Sequence, residues 1–134
     1  MPAALAFIDL DNFKQVNDGF GHQEGDRILI KVAEVLAAKF RSSDLLARLG
    51  GDEFVIFLPD TKIDVASSTL ETVRVQLNQT PELMAHSVTA SIGLLSYDVA
   101  PVDLQDMIKL ADQLMYVAKS EGKNCVYTQH ITET

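Results

Sequence analysis

The chain has 134 residues, of which 47% are hydrophobic and 22% charged, with 11 Lys and Arg against 19 Asp and Glu and a net charge of −8. This length and composition are typical of one folded domain, and they exclude a disordered tail, a collagen-like repeat and a multidomain enzyme. The acidic balance argues against a protein that coats a nucleic acid polymer or an anionic membrane, and no apolar stretch approaches the ~20 residues of a membrane span.

The N-terminus lacks a basic region followed by an apolar core, so the sequence predicts no secretory signal. Cys125 is the only cysteine and cannot form an internal disulfide, which is compatible with a reducing compartment. We therefore expect a cytoplasmic location without membrane contact, and a single domain over residues 1–134.

The first predicted elements are a strand and two helices. Residues 3–8 form a short apolar run before Asp9, which favours a buried strand that ends between Asp9 and Asp11. A short helix follows and is expected to stop at Gly19. Apolar residues then recur at helical spacing over residues 24–39, which predicts an amphipathic helix.

A hairpin follows in the middle of the chain. Residues 45–49 and 54–58 predict two strands, and the segment between them contains Gly50 and Gly51. A tight hairpin turn demands positive φ values, which we expect these two glycines to adopt.

The second half alternates helices and strands. Residues 63–77 predict a helix, residues 88–92 a strand, residues 104–118 a helix that begins near Asp103, and residues 125–127 a last strand. This order of hairpins and crossovers favours an α+β fold with a central, mainly antiparallel five-stranded sheet covered by helices.

Acidic residues at the end of the first strand are the first candidate site. Carboxylates at a strand end are a common way to hold Mg²⁺, which prefers hard oxygen ligands, so Asp9 is a candidate ligand. The alternatives are a solvated strand end and, for Asp11, a helix N-cap.

The hairpin tip supplies two more carboxylates, Asp52 and Glu53. Acidic residues in such a turn are usually only solvated. If the hairpin lies beside the first strand, however, Asp9 and Asp52 converge, and a carboxylate set of this kind is what metal-dependent phosphoryl transfer requires.

The motif RLGGDEF at residues 48–54 resembles the signature of the GGDEF family, the diguanylate cyclases. Four further blocks resemble that family in order: FIDLDNFKQVND at residues 7–18, GHQEGD at 21–26, VTASIG at 88–93 and ADQLMYVAKSEGKN at 111–124. The resemblance therefore extends over nearly the whole chain. It implies a fold of the nucleotidyl cyclase and polymerase palm type with a ferredoxin-like core.

The family condenses two GTP molecules into cyclic di-GMP and releases two pyrophosphates, with one GTP held by each subunit of an antiparallel dimer. The resemblance thus implies a homodimer with GTP as substrate and Mg²⁺ or Mn²⁺ as cofactor, in a bacterial signalling protein and in many cases behind a sensor domain. Asp9 and Asp52 would bind the metal with help from the Leu10 carbonyl. Glu53 would be a further ligand or would help activate the 3′-hydroxyl, and both roles stay open.

The same resemblance assigns the nucleotide contacts. Asn17 and Asp26 would hydrogen-bond the guanine edge, while Lys14, Lys119 and Lys123 would meet the triphosphate. The other interpretations are a turn residue for Asn17 and a helix N-terminal charge for Asp26. Three further residues of these blocks are predicted to belong to the core rather than to the ligand site: Phe13, Met115 and Tyr116.

Arg41 and Asp44 form an R-x-x-D string ahead of Gly50. Its position matches the inhibitory site of the family, where the cyclic di-GMP product binds, and Arg can grip guanine or phosphate through two hydrogen bonds. The alternative is an ordinary surface ion pair between residues three apart.

The chain departs from the family pattern in two ways. The D-x-L-T-G-L-x-N-R segment that usually precedes the first strand is absent, and Lys123 stands where many members carry Arg, whose planar fork Lys lacks. The alternative function is therefore a catalytically silent GTP- or cyclic di-GMP-binding regulatory module of a larger signalling protein.

Overall fold

A computed structural model describes residues 1–101 and 103–132. Strand β1 lies at the centre of a five-stranded sheet with the order β2-β3-β1-β4-β5. The elements, in chain order, are β1 Ala3–Asp11, α1 Phe13–Phe20, α2 His22–Lys39, β2 Leu45–Gly50, β3 Glu53–Pro59, α3 Ile63–Asn78, α4 Pro81–Met84, β4 Thr89–Tyr97, α5 Leu104–Ser120 and β5 Val126–Ile131.

The sheet is mainly antiparallel, which confirms the predicted α+β class. Strand β1 pairs antiparallel with both β3 and β4, and β2 pairs antiparallel with β3. The pairing of β4 with β5 is parallel, because α5 carries the chain back across the sheet between them. The short helix α4 is the one element among the described residues that the sequence did not predict.

The two faces of the sheet pack against different helices. Even-numbered residues of β1 such as Ile8 and Leu10 join a core with α1, α2 and α3. Odd-numbered residues such as Leu5 and Phe7 join a second core with α5. Since successive strand residues point to opposite faces, Asp9 belongs to the α5 side.

Helix α5 lies very close to the sheet. A Cβ atom at Gly93 of β4 would collide with the backbone of Ala111 and Met115, so only glycine allows this approach. Asp103 caps the start of α5 by accepting hydrogen bonds from the backbone N–H groups of Gln105 and Asp106, at 2.9 and 3.3 Å.

Strand β1 is longer than predicted. It continues through Asp11, so Asp9 and Asp11 share one face instead of being separated by the strand end. Asp11 is therefore not the N-cap of α1. Asn12 occupies that position with a φ of 66° and donates from its side chain to the Ser87 carbonyl at 2.9 Å.

Two glycine predictions were wrong. Gly19 lies inside α1, which ends before Gly21 with its φ of 91°. In the hairpin, neither Gly50 nor Gly51 has a positive φ, and the turn is accommodated by a register shift between Arg48 and Gly50. The bulge supplies the bend that the glycines were expected to supply.

Within the described residues, no helix is both long enough and apolar enough to cross a membrane.

Candidate functional site

The acidic residues of two neighbouring strands meet at one end of the sheet. Asp9 on β1 lies opposite Glu53 on β3 in the antiparallel register. The Leu10 N–H donates to the Asp52 carbonyl at 3.2 Å, which ties the hairpin tip to the end of β1. The hairpin therefore lies beside the first strand, as the convergence of Asp9 and Asp52 requires.

These carboxylates repel one another. Burial raises the pKa of Asp9 above its ordinary value, and the charge of Asp52 adds to the rise, although the Lys119 ammonium opposes it. Burial also raises the pKa of Glu53, and the charges of Asp9 and Asp52 contribute in the same direction. A group of carboxylates that resists ionisation is a group that an added cation would stabilise.

Asp11 is a different kind of carboxylate. Its side chain is 0% exposed and accepts four hydrogen bonds: Oδ1 from Ser91 Oγ at 2.7 Å and Lys119 Nζ at 2.8 Å, and Oδ2 from Thr89 Oγ1 at 2.6 Å and the Asn124 N–H at 3.1 Å. Burial pushes its pKa upward, but the bonds from Lys119, Thr89 and Ser91 outweigh burial and leave the pKa below its ordinary value. Because all its acceptor positions are filled, Asp11 is a structural anchor.

Lys119, near the end of α5, lies between the two carboxylates of β1. Its Nζ is 2.8 Å from Asp9 Oδ1 and 2.8 Å from Asp11 Oδ1. Burial lowers its pKa, but the hydrogen bonds to Asp11 and Asp9 more than compensate and leave the pKa raised. The ammonium stays charged and contacts Asp9, which together with Asp52 and Glu53 forms what we call the acidic group.

The residues predicted to bind guanine lie on α1 and α2. Asn17 is partly buried, and its amide packs so closely on Gly25 that a Cβ there would collide with Asn17 Oδ1. Asp26 is exposed at the mouth of a cavity of about 560 Å³. Helix α2 and the hairpin line that cavity with Asp26, Leu29, Ile30, Ala33, Leu46, Arg48 and Phe54. Phe54 thus faces the cavity, while its neighbour Glu53 belongs to the acidic group.

Lys14 and Lys123 are exposed, on α1 and on the turn after α5. Lys123 has a φ of 65° and follows Gly122, whose φ is 120°, so this turn is left-handed. Its backbone N–H donates to the Ala118 carbonyl at 3.1 Å. Both lysines are thus accessible from solvent, whereas Lys119 is held by its contacts with Asp9 and Asp11.

Arg41 and Asp44 lie at the opposite end of β3 from Glu53. Arg41 Nη2 is 3.0 Å from Asp44 Oδ1 and also donates to the Pro59 carbonyl and to Thr61 Oγ1, at 3.2 and 2.9 Å. The string is therefore an ion pair between residues three apart, on the rim of a cavity of about 330 Å³. The arginine remains 58% exposed.

The prediction for the three core residues holds for two of them. Phe13 and Met115 are buried. Tyr116 is 66% exposed, so its assignment to the core was wrong. Met115 faces the sheet, and the next residue of a helix points well away from that direction.

Sequence reasoning missed the anchor around Asp11. Its donors are Thr89, Ser91, Lys119 and the backbone of Asn124. One signal was available: Thr89 and Ser91 are two residues apart on a predicted strand and must share a face. The pairing of this strand with β1, which brings both side chains to Asp11, could not be predicted from spacing alone.

The oxygen atoms at the acidic end suit a hard divalent cation. Asp9 and Asp52 offer carboxylates and Leu10 offers a backbone carbonyl, which are the ligand types that Mg²⁺ and Mn²⁺ prefer. Residues 1–101 and 103–132 contain no group of three or more His, Cys, Asp or Glu side chains placed to hold a metal alone. Mg²⁺ commonly completes its coordination with waters and substrate phosphates, so a partial protein ligand set fits it.

The fold and this acidic site define a class of protein. The chain belongs to the GGDEF family, since the family model described as "Diguanylate cyclase, GGDEF domain" matches residues 1–125. It is 40% identical over 123 residues to the bifunctional diguanylate cyclase/cyclic di-GMP phosphodiesterase MucR of Pseudomonas aeruginosa, covering 90% of this chain and 18% of MucR. It is 38% identical over 130 residues to the response regulator PleD of Caulobacter vibrioides, covering 93% of this chain and 29% of PleD. The chain thus spans less than a third of these two relatives.

Solved structures agree with the fold. The active GGEEF domain of a diguanylate cyclase from Vibrio cholerae superposes with a TM-score of 0.84 at 32% identity, covering 96% of this chain and 85% of that one. The GGDEF domain of DgcB from Caulobacter crescentus, solved in complex with c-di-GMP, gives a TM-score of 0.83 at 30% identity, covering 95% and 77%.

Proposed function

We propose that this chain is a diguanylate cyclase domain that condenses two GTP into cyclic di-GMP and two pyrophosphates. The observation that carries the proposal is the meeting of Asp9 with Asp52 and Glu53 at the ends of two paired strands, with the Lys119 ammonium 2.8 Å from Asp9. Negative oxygen atoms beside a positive charge support the proposal, because nucleotidyl transfer needs ligands for a metal and a cation that can meet a phosphate.

The reaction joins two nucleotides twice. In each half, a 3′-oxygen forms a bond to the α-phosphorus of the other GTP, the bond from that phosphorus to the β-phosphate oxygen breaks, and pyrophosphate leaves with the bonding electrons. The proton of the 3′-hydroxyl must be accepted in the site or by water. When bound, Mg²⁺ or Mn²⁺ would supply charge neutralisation and acidify that hydroxyl.

Different residues of this chain would bind the metal, accept the proton and bind the triphosphate. Asp9, Asp52 and the Leu10 carbonyl would hold the metal, and Glu53 would either join them or accept the hydroxyl proton. Lys119, together with the exposed side chains of Lys14 and Lys123, would balance the charge of the triphosphate. We keep both roles for Glu53, because its raised pKa suits a proton acceptor and its position opposite Asp9 suits a metal ligand.

Guanine selection would come from Asn17 and Asp26. Guanine presents N–H donors at N1 and N2, for which a carboxylate is a fitting acceptor, and Asp26 stands at the mouth of the 560 Å³ cavity. The tight packing of Asn17 against Gly25 limits the orientations of its amide. Base recognition by held polar groups rejects analogues that leave those groups unpaired.

The chemistry of the product supports a homodimer as the active form. Cyclic di-GMP contains two equivalent 3′–5′ linkages, and the constellation described here would hold one nucleotide. Two copies facing each other would bring each 3′-hydroxyl to the partner's α-phosphate. Positioning of this kind turns a reaction between two bound nucleotides into an effectively unimolecular step.

Arg41 and Asp44 would form an inhibitory site for the product. Arg41 is more than half exposed although it already donates to Asp44, Pro59 and Thr61, so its guanidinium is held in place yet open to a phosphate or a guanine edge. Preorganised arginines of this kind bind planar anions through paired hydrogen bonds.

Incubation with GTP and Mg²⁺, followed by separation of the nucleotides, tests the proposal. We expect one cyclic di-GMP for every two pyrophosphates, with a rate that rises faster than linearly with protein concentration because two chains must meet. GTP binding without any cyclic di-GMP at high protein concentration would instead identify a silent binding module.

A further inference from the structure

The ammonium group of Lys119 lies against the oxygen atoms that we assign to the metal. Its Nζ is 2.8 Å from Asp9 Oδ1 and 3.5 Å from the Leu10 carbonyl oxygen. A cation held at these atoms and a divalent ion at the same atoms would repel each other strongly, because both charges sit in a partly buried site. The two cations therefore compete for one set of ligands.

The second contact of Lys119 is of another kind. Asp11 is fully buried, and its oxygens are already filled by Thr89, Ser91 and Asn124 as well as by the ammonium. A metal ion has no free lone pair to bind there. Loss of the ammonium would leave a buried carboxylate without its positive partner, which is costly, so Asp11 has reason to keep Lys119.

We propose that Lys119 is the resident counter-cation of the metal site: a divalent ion displaces its ammonium from Asp9 and Leu10, while Asp11 retains it within the site. The lysine stays bound to Asp11, and the N–H donors that had faced Asp9 and Leu10 become available to an incoming phosphate. Asp11 acts as a positioning residue, since it works through Lys119. This inference rests on the metal placement of the proposed function but not on cyclisation.

Binding of Mn²⁺ to the nucleotide-free protein tests the competition. Free Mn²⁺ can be followed by electron paramagnetic resonance in titrations of the wild type, Lys119→Met and Lys109→Met. The control removes the same charge from an exposed position of the same helix. We expect Lys119→Met to bind Mn²⁺ about tenfold more tightly than the wild type, because its competitor is gone, and Lys109→Met to stay within about twofold.

An affinity of Lys119→Met that does not exceed that of Lys109→Met overturns the inference. A lysine with a purely structural role would give that result or a weaker affinity, since its loss would loosen the site. The predicted direction, a gain in metal affinity when a positive charge that contacts the ligands is removed, is therefore opposite to that of a purely structural role, and the shift of the Lys119 ammonium signal reports the displacement itself.

A measurement on the wild type covers the case in which Lys119→Met does not fold. The side-chain ammonium signal of Lys119, assigned by comparison with Lys119→Arg, is followed by nitrogen–proton NMR during a Mg²⁺ titration without nucleotide. We expect the signal to shift and to remain visible, because Asp11 still shields it from exchange with water. A signal that does not move, or that disappears as the lysine swings into solvent, overturns the inference.

The outcome is separable from that of the proposed function. If Lys119→Met shows the gain in Mn²⁺ affinity but the wild type forms no cyclic di-GMP, the counter-cation role of Lys119 is supported and the cyclase function is contradicted. If the wild type forms cyclic di-GMP but Lys119→Met shows no gain in Mn²⁺ affinity, the cyclase function is supported and the counter-cation role is contradicted.

Discussion

Gly93 of β4 lies directly beneath the backbone carbonyl of Ala111 on α5, with no room for a side chain between them. This contact fixes the height of α5 above the sheet. Lys119 is two turns further along the same helix, so its reach to Asp9 and Asp11 depends on that height. A packing detail in the second core thus sets the position of a charge in the site.

Substitution of Gly93 by Ala should reduce the free energy of unfolding by about 3 kcal/mol, because the new Cβ would collide with backbone that cannot move aside cheaply. Chemical denaturation measures the change. Gly19→Ala is the matched control: Gly19 lies in α1, where an added Cβ would meet no atom within 4 Å, so this variant should gain about 0.5–1 kcal/mol. Equal effects at the two glycines would contradict the close contact with α5.

Substitution of Gly25 by Ala should weaken GTP binding about tenfold by displacing the amide of Asn17, with which its Cβ would collide. Calorimetric titration with GTP gives the affinity, and Asn17→Ala gives the reference loss. If Gly25→Ala binds GTP as the wild type does while Asn17→Ala does not, the packing of Asn17 on Gly25 has no part in base recognition.

Asp52→Ala should lower the rate of cyclic di-GMP formation about 10³-fold, because it removes a proposed metal ligand. Stability should change little, since the hydrogen bond from Leu10 goes to the Asp52 backbone, which the substitution retains. Asp64→Ala, at an exposed position of α3, is the control for loss of one negative charge. Metal-dependent GTP binding and turnover that survive in Asp52→Ala would show that the metal site is misplaced.

The metal affinity should fall on mild acidification. The pKa values of Asp9 and Glu53 are raised above 3.8 and 4.5 by burial and by neighbouring carboxylates, so these groups hold protons at a higher pH than ordinary carboxyls do. A metal must displace those protons, so its affinity is complete above the raised pKa values and declines as the pH falls through them. Mn²⁺ titrations at stepped pH measure this. An affinity that stays constant until the pH reaches the range in which ordinary carboxyl groups titrate would argue against Asp9 and Glu53 as ligands.

Arg41→Ala should weaken binding of cyclic di-GMP to the inhibitory site at least about tenfold, because the exposed guanidinium is its proposed contact. Titration with cyclic di-GMP in the absence of GTP measures this. Arg41 also donates to Thr61, so Thr61→Val separates that structural bond from ligand recognition. A Thr61→Val variant that loses as much affinity as Arg41→Ala would assign the effect to local structure.

Much of the fold could be predicted because its signals are local. The apolar run of β1 and the helical spacing in α2 and α5 each fall within a short window, and their elements were found within a few residues. The hairpin bulge was not predictable in the same way, since two adjacent glycines suit a turn with positive φ as well as one with a shifted register.

The anchor around Asp11 shows the limit of such reasoning. Its donors come from Thr89, Ser91, Lys119 and Asn124, which are at least 78 residues away along the chain. Whether an acidic residue caps a helix, binds a metal or holds a lysine is decided by strand pairing, and no short pattern around Asp11 carries that information. The acidic group of the hairpin was easier to recognise because its motif is contiguous.

The proposed base contacts and the proposed metal ligands lie on different layers of the fold. Asp9 and Glu53 stand on β1 and β3, and Asp52 on the turn that precedes β3, whereas Asn17 and Asp26 stand on α1 and α2. In the proposed function, the base contacts therefore lie on the helices and the metal ligands at the sheet, while Lys14, a proposed triphosphate contact, shares α1 with Asn17. An engineer who wished to change the proposed base preference could substitute Asn17 and Asp26 alone, and leave Lys14 and the carboxylates beside the central strand unchanged.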